Sequence, residues 1–143
     1  MTGGAPAVDQ APEPGHGIRL KRAYEAPADD DGTRVLVERL WPRGLTKERA
    51  ALGLWLQEVA PSHELRRWFG HDPGRWPEFR RRYREELRGR PDELDQLRRL
   101  ASDGRVTFVY GARDTEHNSA IVLREVVEER QRPGAGQQPT SGE

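Results

Sequence analysis

A chain of 143 residues with 24 basic and 24 acidic side chains has room for one domain of ordinary size and no net charge for binding polyanions in general. It contains no cysteine, which excludes disulfides, thiolate nucleophiles and zinc sites built on sulfur. No apolar run approaches the roughly 20 residues of a membrane span and no signal-peptide core follows the N-terminus, so a cytoplasmic protein without a membrane partner is expected.

Residues 1–16 and 132–143 are rich in Gly, Pro, Ala and Gln and nearly devoid of large apolar side chains, so they are expected to be disordered tails. The domain is expected over residues 17–131. Charged residues make up 34% of the chain against about 25% typically, which predicts strongly amphipathic elements. Two lysines, Lys21 and Lys47, leave 22 of the 24 basic residues as arginine, a bias that fits a GC-rich genome better than a function.

In chain order, Ile18 to Glu25 alternates as a strand and is ended by Pro27 and the turn Asp29-Asp30-Asp31-Gly32. Thr33 to Arg39 reads as a buried strand. Thr46 is expected to cap a helix to about Val59, because Leu52, Trp55, Leu56 and Val59 recur at steps of three and four. Pro61 stops it, and Ser62 caps a short helix bearing Leu65, Trp68 and Phe69.

Asp72-Pro73 then opens a helix with Trp76, Phe79, Tyr83 and Leu87 on one face. A further helix spans Asp92 to Ser102, with Gly104 in the left-handed position after it. Arg105 to Tyr110 is a third strand, and Thr115 to Arg130 a closing helix capped by Asp114 or Thr115. Roughly 60 mostly helical residues between the second and third strands suit a parallel crossover. The expected architecture is a small three-layer α/β domain with a short, mostly parallel sheet and about five helices; a mostly helical domain with a minimal sheet is the alternative.

The strings RVLVERLWPRG, APSHELRRWFGHDPGRWPEF and VTFVYGARDTEHNSAIVL closely resemble the YeaO-like bacterial proteins, a branch of the domain of unknown function 488. The resemblance covers about Leu20 to Glu128 and implies a compact α/β fold with no settled activity. It also implies cysteines in the wider family, one near Tyr110 and one in a Cys-His-Arg string near His117-Asn118-Ser119. This chain has neither, so no thiol mechanism carries over.

Two polar clusters follow strands and are the candidate site: Glu38-Arg39-Leu40-Trp41-Pro42-Arg43-Gly44 and Arg113-Asp114-Thr115-Glu116-His117-Asn118. Open α/β sheets bind ligands where strand ends meet helix starts. Arg39, Arg43, Arg113 and Asn118 are candidates for holding a phosphate or carboxylate. His117, Asp114 and Glu38 are candidates for moving protons, since an imidazole titrates near neutrality and a carboxylate can orient it. The same residues have structural readings, as a helix cap, a loop-fixing ion pair and satisfied loop carbonyls.

No cofactor and no metal are expected. His71 and Asp72 with Asp114 and His117 lack a metal spacing such as His-Glu-x-x-His, Asp72 already serves as an N-cap, and His16 and His63 have weaker claims. Arg80, Arg84 and Arg88 form a stripe that suits phosphate contacts, yet Glu78, Glu85 and Glu86 lie within one turn of these arginines or their neighbours. Two functions stand: a small anion-binding pocket at the strand ends, with or without acid–base hydrolysis, and a non-catalytic interaction or nucleic-acid module using helix 76–88.

Overall fold

The β-branched and aromatic runs of the chain form strands that a sheet buries from both sides. The computed structural model describes residues 17–129. It contains β1 (Ile18–Arg22), β2 (Thr33–Leu36), α1 (Lys47–Ala50), β3 (Leu54–Trp55), α2 (His63–Phe69), α3 (Trp76–Arg88), α4 (Pro91–Asp103), β4 (Val106–Tyr110) and α5 (Ser119–Glu129). The two expected tails and His16 lie outside the described residues.

The four strands form one parallel sheet in the order β1-β4-β2-β3. Ile18 to Arg22 pair with Val106 to Tyr110, Thr33 to Leu36 pair with Val106 to Val109, and Val35 pairs with Leu54. Strand β4 is therefore flanked on both edges and buried at all five residues. Successive side chains alternate between faces, as the pleat requires. Val35, Val37, Val106, Phe108 and Tyr110 enter the larger core with apolar residues of α2, α3, α4 and α5. Leu36 and Val109 enter a smaller core with Ala23, Leu45 and Ala50, the last of these on α1. The three layers are thus unequal, with four helices on one face and one short helix on the other.

Local capping chemistry sets most boundaries. The Thr46 and Ser62 hydroxyls accept from the backbone N–H of Arg49 and Leu65, each at 3.1 Å, and Asp72 accepts from Gly74 N–H at 2.9 Å. Pro73 begins a 3-10 turn, Pro73–Arg75, that runs directly into α3.

Three expectations are corrected. The helix expected from Thr46 to Val59 ends at Ala50, where Ala51 turns left-handed with φ 48°. The chain then pairs as β3, so its apolar residues go to different layers: Leu52 packs on the smaller core, Leu56 and Val59 in the larger. Gly104 follows α4 in extended backbone with φ 169°, a conformation open to any residue, not left-handed. The last helix begins at Ser119, not Thr115, so His117 and Asn118 precede its first turn instead of lying in it.

Beneath the smaller face, Asp31 is fully buried and accepts from Arg34 Nη1 at 2.7 Å, Lys21 Nζ at 3.0 Å and Ala28 N–H at 3.0 Å. Arg34, also buried, donates through Nε to the Ala50 carbonyl at 2.8 Å. The turn before β2 is thereby bound to β1 and α1.

Strand β2 sends its connection to the smaller face and β4, its neighbour, sends its own to the larger. Their carboxyl ends diverge around a crevice, the position at which open parallel sheets receive ligands.

Candidate functional site

The loop leaving β2 is fixed from both sides. Trp55 Nε1–H donates to the Glu38 carbonyl at 2.7 Å and Gln57 Nε2–H to the Arg39 carbonyl at 2.9 Å. The Glu38 side chain turns toward β4, and its Oε2 accepts from Gly111 N–H at 2.8 Å. Burial pushes the Glu38 carboxyl above its usual range, against the pull of the Gly111 N–H and of the charges on Arg66 and His71.

The loop leaving β4 folds around Asp114. Its Oδ1 accepts from the backbone N–H of Glu116 at 2.8 Å and of His117 at 3.0 Å, while Oδ2 lies 2.9 Å from His117 Nδ1. The Glu116 N–H and the His117 ring hold the Asp114 carboxyl below its usual range. Asn118, only 4% exposed, donates through Nδ2 to the Asp114 carbonyl and accepts at Oδ1 from Ile121 N–H, so it is the cap of α5. The His117 ring stands edge-on to Trp76, with centroids 5.3 Å apart.

Between these loops lies a cavity of about 460 Å³. Pro61, Phe69, Phe79 and Ala112 supply its apolar lining; Glu38, Arg66, Arg67, His71, His117, Asn118 and Ser119 supply its polar groups. The volume is within the roughly 300–1,000 Å³ of small-molecule sites. Arg66 Nε is buried with no hydrogen-bond partner among the described residues. His71 holds φ 59° beside Phe69, a left-handed backbone that histidine adopts more readily than most residues with a side chain.

Of the residues singled out from the sequence, Glu38, His117 and Asn118 line this cavity, and Asp114 stands behind His117. Arg39, Arg43 and Arg113 do not line it. Arg39 donates to the Ala60 carbonyl at 3.3 Å and lies in a separate depression beside Tyr83 and Glu86. Arg43 and Arg113 are exposed.

The cationic groups of the cavity come instead from α2 and the turn after it, as Arg66, Arg67 and His71. One signal for Arg66 was present in the sequence. Positions three and four away from it are Ser62, His63, Phe69 and Gly70, so it has no acidic partner along its own helix.

The arginines of α3 are mostly paired. Arg80 bonds Glu125, Arg84 bonds Glu129 at 2.5 Å, and Arg81 and Arg82 bond Glu78, each at 2.7 Å. The two arginines hold the partly exposed Glu78 carboxyl down to about 2. Among the described residues, no group of three or more His, Cys, Asp or Glu side chains is placed to hold a metal ion. No described helix is long and apolar enough to cross a membrane.

The fold is thus a small parallel α/β domain with a mixed-charge cavity at the carboxyl ends of its two inner strands. Residues 17–142 match the family model described as the inactive DUF488-N3 subclade, and the chain belongs to that family. It is 40% identical to the uncharacterised protein YeaO of Escherichia coli over 106 residues, 74% of this chain and 92% of the relative. It is 42% identical to the uncharacterised proteins Rv3073c of Mycobacterium tuberculosis and Mb3100c of Mycobacterium bovis over 113 residues, 79% of this chain and 95% of each relative. No solved structure matches it.

Proposed function

We propose that this domain binds a small anionic ligand, a carboxylate or phosphate, in the cavity between the β2 and β4 loops, and that it acts as a binding domain without turnover. One observation carries the reading: Arg66, Arg67, His71 and His117 border a cavity in which Glu38 is the single carboxylate among the described residues. Two guanidiniums, Arg66 half-buried and Arg67 exposed, favour an oxyanion by charge-assisted hydrogen bonds, and the apolar lining strengthens those of Arg66 by excluding water. The family description as inactive and the lack of cysteine support binding over chemistry. Acid–base hydrolysis is the second reading, and it rests on the Asp114–His117 pair, which would orient the imidazole for proton transfer. Nucleic-acid binding through α3 is disfavoured because Arg80 and Arg84 are bonded to Glu125 and Glu129.

Thermal unfolding and titration calorimetry with inorganic phosphate and a series of small carboxylates test the proposal. A ligand at 100 times its Kd adds about 2.7 kcal/mol of stability. At least one anion is expected to stabilise the domain, and Arg66→Gln with Arg67→Gln to abolish the effect. Stabilisation that survives in that double variant, or none with any anion, overturns the reading.

A further inference from the structure

Glu38 and Arg66 carry opposite charges into one cavity without forming a salt bridge. Glu38 places one carboxylate oxygen on the Gly111 N–H, and among the described residues no donor reaches the other oxygen. The Arg66 side chain likewise makes no hydrogen bond or ion pair among the described residues, and its Nε is already out of water. Both side chains line the same cavity. The scaffold nevertheless holds them apart: Glu38 is pinned at the end of β2, while Arg66 rides on α2.

Half-buried charges that stay unpaired are costly, and closing the gap would relieve both. A gap held open between a carboxylate and a guanidinium is complementary to a molecule that carries the reverse pair. The same cavity has an apolar lining, with Phe69 and Phe79 stacked at 4.5 Å between centroids.

We propose that the ligand is a small zwitterion with an apolar or aromatic body, its acid group on Arg66 and Arg67 and its ammonium on the free oxygen of Glu38. The inference rests on the anion-binding reading and names its ligand class. It differs from that reading in giving Glu38 a binding role. A simple anion would be repelled by the carboxylate; a zwitterion uses it.

The test is calorimetry at pH 7 with L-phenylalanine, 3-phenylpropanoate, which lacks the ammonium, and 2-phenylethylamine, which lacks the acid. L-tryptophan against indole-3-propanoate repeats the comparison on a larger body. At least one amino acid is expected to bind about tenfold more tightly than its monoacid, the size of one charge-assisted hydrogen bond. Glu38→Gln keeps an oxygen for the Gly111 N–H and should erase that advantage while leaving monoacid binding equal or stronger. Arg66→Gln should weaken both acids, and Arg66→Lys should restore part of the loss.

If monoacid and amino acid bind alike, or if Glu38→Gln preserves the advantage, the zwitterion inference is overturned while anion binding stands. If neither kind of acid binds while inorganic phosphate or a smaller carboxylate does, the zwitterion inference is likewise overturned and anion binding stands; if no anion binds at all, both fall.

Discussion

The Glu38 carboxylate accepts the Gly111 N–H at 2.8 Å, and this one bond joins the loops that leave β2 and β4 toward opposite faces of the sheet. Its environment sets a pH signature. Burial raises the Glu38 pKa above 4.5 in the folded chain, so the folded state holds this proton more tightly than the unfolded state does. The stability so gained is present below the unfolded pKa and is lost as pH rises through the folded value. Glu38→Gln cannot titrate. The ligand-free variant should therefore match the parent near pH 4 and exceed it progressively as pH rises, as read by urea unfolding at pH 4 to 8. Parallel stability curves would show that the carboxyl is not strained by burial.

Asp31 gathers a different kind of energy. Arg34 is 3% exposed and depends on this carboxylate for its charge partner. Removing one member of a buried pair leaves an uncompensated charge, so Asp31→Ala should cost about 3–5 kcal/mol in urea unfolding. A loss below about 1 kcal/mol would mean that Arg34 finds another partner or reaches water.

Two glycines should respond oppositely to alanine. Gly32 has φ 67°, and a Cβ there would sit 2.1 Å from the Arg105 carbonyl oxygen. Gly104 is extended, and a Cβ there meets nothing within 4 Å. Gly32→Ala should destabilise by about 2–3 kcal/mol, since strain and clash combine. Gly104→Ala should change stability by no more than about 0.5–1 kcal/mol, and in the stabilising direction. Differential scanning calorimetry of both variants decides it; equal shifts would contradict the assigned backbone.

Much of this architecture was legible because local chemistry and global packing agree. Ser62 and Asp72 mark helix starts that the structure keeps, and the TRVL and VTFVY runs become the strands that flank the cavity. Strand β3 was not legible. Leu52, Trp55, Leu56 and Val59 have helical spacing, and only tertiary contact with β2 divides them between layers. His117 misled for a related reason: Asp114 offers a cap-like oxygen, but it closes a tight turn around Glu116 and His117, and Asn118 performs the capping. Among the site residues, chain proximity favoured Arg39 and Arg43, which sit beside Glu38 in sequence and lie outside its cavity. Arg66 is distant in sequence and borders that cavity because α2 packs over the strand ends.

The outer strands of the sheet also limit how this protein meets copies of itself. On one side β3 presents only two residues, and on the other β1 carries Arg19, Lys21 and Arg22 along five. A short edge and an edge of charged side chains are both poor templates for a further strand, because a newcomer would find either too few backbone partners or the Arg19–Asp30 and Lys21–Asp31 ion pairs in its way. Crowding the chain in concentrated solution should therefore not thread its sheets into continuous ribbons through these two edges.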